Sequence, residues 1–272
     1  MRTRLLVVLI VSSFASAAAQ VSVSPPALFM TTANRFGTFI VENKSDEPQE
    51  ISIAFRFGYP ASDSAGQMSM QYADTTAERN YSLGPWSKGF PRRFVLPSGA
   101  QQIVRMSVQP PQDLPDGVYW SRIVTGAQAQ AKRVDTVSSG ITTQISILFE
   151  QITTVLYSKG AVTTSIEVKD PTLQLDSASV RLLWRTEKSG TAPYFGTITS
   201  VVRDEEGTVV DEAKETVGIY FSMNKFARFD RSKLKPGKYM AEITFKTDRT
   251  DIPANQIVQL PTITKKIGFT LP

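Results

Sequence analysis

One stretch constrains this chain more than any other: residues 140–157, which read GITTQISILFEQITTVLY. Ile141, Thr143, Ile145, Ile147 and Phe149 alternate there with Thr142, Gln144, Ser146 and Leu148. A period of two sends every second side chain to the same face of a strand. After Gly140 the run contains neither glycine nor proline, so nothing in it punctuates an extended backbone. Ordinary strands have about 5–6 residues, and this pattern is roughly three times that length. At a sheet edge, such a strand presents a row of unpaired backbone groups to which another chain can add. The stretch therefore predicts a β architecture in which this edge is either used by a partner or covered.

The rest of the chain keeps to the same pattern. Residues 50–57 place Ile51, Ile53, Phe55 and Phe57 on one face and Ser52, Ala54 and Arg56 on the other. Further strands read at 21–29 (an edge strand interrupted by Pro25-Pro26), 35–41, 94–96, 102–108 and 118–125. Residues 58–81 are polar and read as a long loop with a helical turn near 73–79, and 127–139 reads as a polar hairpin loop. Seven strands bounded by turn residues in about 130 residues indicate an Ig-like sandwich. Lys159-Gly160 marks a boundary, after which strands read at 165–169, 180–184, 196–203, 209–216, 226–230, 239–246 and 266–271. The expected fold is all-β, with two Ig-like β-sandwich domains in tandem over residues 20–158 and 159–272.

Residues 1–19 read as a secretory signal peptide: Arg2 and Arg4, a short apolar run at 5–11, and Ala17-Ala18-Ala19 before Gln20. The apolar run is too short to span a bilayer and no later segment approaches about 18 apolar residues, so no transmembrane segment is expected. Of the net charge of +5, two positive charges belong to Arg2 and Arg4. The remainder is spread along the chain and gives no case for nucleic acid. The clusters Lys88/Arg92/Arg93 and Lys132/Arg133 read as solvated loop charge.

The chain has no cysteine and no histidine. This excludes His-based triads, thiolate nucleophiles and His-ligated zinc. No paired-carboxylate motif replaces them, so no catalytic residue is assigned and no enzyme is expected. Asp204-Glu205-Glu206 before Gly207 reads as a hairpin turn and lacks the ligand spacing of a calcium loop. No metal and no cofactor are expected. Trp86, Trp120 and Trp184 read as packing residues of sandwich cores or rims.

Three blocks resemble the N-terminal domain of the PapD-like periplasmic chaperones of pilus assembly. The first is Val21-Ser22-Val23-Ser24-Pro25 followed by Phe39-Ile40-Val41-Glu42-Asn43. The second is Phe90-Pro91, Phe94-Val95-Leu96-Pro97-Ser98-Gly99, Gln102 and Val104-Arg105-Met106. The third is the long strand ending in Leu156-Tyr157. The resemblance covers residues 21–157. It implies two sandwiches in a boomerang arrangement, a periplasmic location, and pilus or surface-fibre subunits as partners, with an outer-membrane usher as a further partner. It also implies donor-strand complementation, in which the long strand completes an unfinished subunit by edge pairing and alternate apolar side chains. The strand-donating residues would be Ile141, Thr143, Ile145, Ile147 and Phe149.

The family holds the subunit's terminal carboxylate with two basic residues, whose matching positions here lie near Ala27 and Thr154. Neither is basic, and the candidates nearby are Arg35, Arg122 and Lys159. The segment 114–120 is also shorter than the family's usual segment before its strand. The family's arginine at the place of Arg105 implies an interdomain ion pair, whereas the residue pattern alone reads as a surface arginine. Two functional readings follow. One is a client-capping chaperone, whose edge could self-pair into a homodimer when no client is present. The other is an exported structural or adhesive Ig-like module with no client.

Overall fold

The computed structural model describes residues 21–130 and 147–271. The first sandwich is built from β1 (Val21–Ser24), β2 (Ala27–Thr31), β3 (Phe36–Asn43), β4 (Gln49–Arg56), the hairpin β5 (Tyr59–Ser62) and β6 (Met68–Gln71), α1 (Thr75–Tyr81), β7 (Ser87–Phe90), β8 (Arg93–Leu96), β9 (Gln101–Val108), β10 (Gly117–Ala129) and β11 (Leu148–Lys159). Its two sheets have the orders β1-β3-β9-β7 and β2-β11-β10-β4-β8. Alternation decides what goes inside: Phe39 and Val41 of β3, Ile51 and Ile53 of β4, Val104 and Met106 of β9 and Ile123 of β10 form the core.

The second sandwich comprises β12 (Ser165–Leu175), β13 (Ser179–Ser189), β14 (Tyr194–Arg203), β15 (Val209–Ile219), β16 (Met223–Asp230), β17 (Gly237–Lys246) and β18 (Ile263–Leu271). The sheet β12-β13-β16 faces the sheet β15-β14-β17-β18. Val180, Leu182, Trp184, Ile198, Val202, Ile243 and Phe245 fill the space between them. All seven strands expected from the sequence are present, each extended at one end or both. The fold is two tandem Ig-like β-sandwiches.

Several local readings are corrected. Pro25-Pro26 does not merely bulge an edge strand. The chain changes sheet there, with β1 pairing with β3 and β2 pairing with β11. Phe57 does not continue the inward face of β4. It lies just past the end of that strand and packs into a third cluster between the sandwiches. The reading of 58–81 as a loop missed the β5–β6 hairpin. Its tip is set by the Asp63 carboxylate, which accepts from the amides of Ala65 and Gln67, and by Gly66 at φ +78°. The helical turn is present as α1, capped by Asp74 accepting from the Ala77 amide at 2.9 Å. β10 runs on to Ala129, so 127–129 is strand and not loop.

The third cluster joins the two sandwiches. Trp120 of β10 stacks on Tyr81 of α1 at 5.0 Å and meets Tyr220 at 4.8 Å and Phe57 at 5.5 Å. Phe221 closes on Tyr59 at 4.6 Å. Trp184 belongs to the second core and donates Nε1–H to Thr186 at 3.0 Å, and Trp86 packs edge-on against Tyr119 beside the first core.

Candidate functional site: the open edge of β11

On one side β11 is paired along its whole length with β10, from Leu148 opposite Gln128 to Lys159 opposite Gly117. On the other side β2 pairs with it, in parallel, only from Thr154 to Ser158. Among the described residues no strand covers that side from Leu148 to Thr153. The amide of Thr154 donates to Pro26 O at 3.1 Å, on the β2 side. Backbone groups alternate in direction along a strand, so the N–H and C=O of Leu148, Glu150 and Ile152 point the same way, into the open lane.

The side chains divide by parity. Thr153, Val155 and Tyr157 are buried on the inner face, and Phe149 and Gln151 continue that row towards the strand's start. The core ends before the strand does. Ile147, Leu148, Phe149 and Ile152 are 59, 56, 44 and 41% exposed. A cavity of about 320 Å³ lies beside Phe149, lined by Val21, Thr125, Ala127, Gln151 and Ile152. The outer face carries Leu148, Glu150 and Ile152, with Glu150 held by Arg56 of β4 through two contacts of 3.4 Å. The Arg56 guanidinium also lies over the Tyr72 ring at 5.5 Å. This end of the strand thus exposes large apolar side chains on both faces, with Glu150 between two of them on the outer one.

Of the residues read from the sequence as the donating stripe, Ile147 and Phe149 lie at this open end. Ile141, Thr143 and Ile145 lie outside the described residues. The alternation in the sequence marks a single apolar stripe; Leu148, Glu150 and Ile152 lie on the opposite face, which is exposed where the core stops.

The three anchor candidates do not converge. Arg122, on β10 opposite Thr154, is 6% exposed. It donates Nε–H to Gly58 O at 3.0 Å, a second N–H to the Thr154 hydroxyl, and lies over the Tyr220 ring at 5.1 Å. Every one of these partners is neutral, so the guanidinium is a buried cation with no carboxylate beside it among the described residues. The Lys159 ammonium donates to the carbonyls of Gln112 at 3.0 Å and of Leu114, and so ties down the loop before β10. Arg35 is exposed in the β2–β3 turn and donates to Thr32 O at 3.3 Å.

The expected interdomain ion pair of Arg105 does not form among the described residues. Arg105 projects from the exposed face of β9, opposite Thr38 and Phe90. No group of metal-ligating side chains occurs among the described residues, and no helix there is long and apolar enough to cross a membrane.

No family model matches the chain, and no curated protein matches it. Solved structures with a similar arrangement of strands do exist. The structure of the YadV chaperone aligns with a TM-score of 0.47 and 7% identity, over 92% of this chain and 100% of that one. A chaperone–tip adhesin complex of CFA/I fimbriae biogenesis aligns with a TM-score of 0.45 and 13% identity, over 91% and 98%. The CsuC–CsuE chaperone–tip adhesion subunit pre-assembly complex, from the archaic chaperone-usher Csu pili of Acinetobacter baumannii, aligns with a TM-score of 0.41 and 8% identity, over 91% and 98%.

Proposed function

We propose that this protein is a periplasmic chaperone that binds pilus or surface-fibre subunits and caps them by donating the open edge of β11. The observation that carries the reading is that edge: three residues aim their backbone groups into a lane that no described strand fills, and four large apolar side chains extend past the described core. A client strand laid along Leu148–Ile152 would satisfy those backbone groups. Each Ile or Phe taken fully into a client would contribute about 1.5–3 kcal/mol before ordering costs. The alternative, a structural module with no client, requires a cover over this edge, and no described strand supplies one.

The lane ends at Thr154 and Pro26, where β2 begins. Arg122 brings its cation to Thr154, the position where the resemblance calls for a basic residue. In this proposal Arg122, reaching across from β10, anchors the client's terminal carboxylate, with a charge-assisted contact worth about 1.5–3 kcal/mol. Lys159 and Arg35 take no part in it. Export by a signal peptide over 1–19, delivery to an outer-membrane usher, and self-pairing through the same edge in the absence of client complete the proposal. The division into domains 20–158 and 159–272 is part of it, supported by the end of β11 at Lys159 and the start of β12 at Ser165.

The test is capture of a co-expressed subunit by Phe149→Asp and Arg122→Met variants. Phe149→Asp is expected to abolish capture with the thermal transition unchanged, and Arg122→Met to weaken capture about tenfold or more. Unfolding of the Phe149→Asp monomer would instead assign the stripe to the protein's own core.

A further inference from the structure

Glu150 sits at the middle of the open lane. Its backbone groups point into it, and its side chain lies on the outer face between the exposed Leu148 and Ile152. Behind it, on β10, stands Gly126, the residue opposite in register, which has no side chain to cover the carboxylate. Arg56 reaches the carboxylate from β4, the far side of β10, with two contacts of 3.4 Å, and its guanidinium is shared with the Tyr72 ring. The side of Glu150 that faces the lane has no cation among the described residues. A strand arriving in the lane, parallel or antiparallel, places one side chain next to this carboxylate on the same face.

We infer that Glu150 is a specificity determinant of the edge, selecting client strands that carry a lysine or arginine at the position beside it and large apolar residues two positions away on either side. The inference rests on the strand-donating role proposed above and adds to it the sequence pattern of the strand received. The flanking preference follows from Leu148 and Ile152, which need apolar neighbours once covered. The central preference follows from charge: a like charge directly across a strand pair opposes pairing, and an opposite one favours it. The net charge is +5 over the full sequence and stays positive without Arg2 and Arg4, which would draw an acidic peptide, so a preference for a basic one cannot come from net charge.

The experiment uses two fluorescently labelled valine-rich peptides that differ only in a central lysine or glutamate. Their affinities are measured by anisotropy against the unaltered protein and its Glu150→Gln and Glu150→Lys variants. The lysine peptide is expected to bind the unaltered protein about tenfold more tightly than the glutamate peptide. That preference should vanish with Glu150→Gln and reverse with Glu150→Lys. Equal binding of the two peptides, or a preference that survives Glu150→Gln, overturns the inference and leaves strand donation standing. Failure of both peptides to bind a protein with an intact circular dichroism spectrum overturns strand donation and the inference with it.

Discussion

At the scale of single residues, burial and charge conflict at the junction of the two sandwiches. Arg122 is buried among neutral partners, and Lys188 is close by in the same junction, lining a cavity shared with Trp120 and Tyr220. Its ammonium donates to Gly190 O at 2.8 Å, and burial pushes its pKa down to about 8 from 10.5. A lysine depressed in the folded state binds fewer protons there than in the unfolded chain between these two values. Stability should therefore rise with pH from about 8 to 10.5 through this group. Lys188→Met should be more stable than the parent at pH 7, and the advantage should shrink as pH rises through that window. Denaturant titrations of both proteins at several pH values check this, and a constant difference would show that Lys188 is not the group responsible. None of this could be read in the sequence, where Lys188 is one lysine at the end of a strand. Its environment is made by residues far away in the chain.

At the scale of elements, the β5–β6 hairpin belongs to the first sandwich by sequence but is fastened to the second. The Asn224 amide donates to Ser62 Oγ at 2.8 Å, Asn224 Nδ2 to Asp63 O at 3.1 Å, and Arg181 to Ala65 O at 3.2 Å. Its tip approaches β16 so closely that a Cβ on Gly66 would sit 3.0 Å from the Lys225 carbonyl carbon and from the Phe226 ring, at a φ of +78°. Both the backbone and the space demand glycine there. Gly66→Val should cost about 1–3 kcal/mol and release the hairpin, seen as accelerated amide exchange in 62–67 and 223–226. Unchanged exchange would mean that the hairpin docks by other contacts. The same segment shows where a pattern reading stops. The polar composition of 58–81 signals turn chemistry correctly, and Asp74 is a recognisable helix cap. A four-residue strand such as β6 has no period to detect, and the hydrogen bonds that fasten Ser62 and Asp63 of the hairpin to Asn224 of β16 are non-local.

At the scale of the whole molecule, two complete cores are joined by an aromatic cluster centred on Trp120. Trp120→Ala should cost about 3–5 kcal/mol and loosen the coupling, so that calorimetry resolves two transitions where the parent gives one. A single transition in the variant would place the coupling in the hairpin instead. The sequence by itself determined the class and most of the strands. Period-two alternation is local, it survives in any sheet, and in β4 it named Ile51 and Ile53 as core residues. It also placed Ile147 and Phe149 in an apolar stripe, and both are exposed at the open end of β11. The tertiary structure alone decided that β2 leaves the strand's other side at Thr154, that Leu148 and Ile152 are as exposed as the stripe itself, and that Arg122 of β10 reaches the Thr154 hydroxyl. An open edge is a property of neighbours, and which neighbours a strand has, and where they end, depends on contacts between residues distant in the chain.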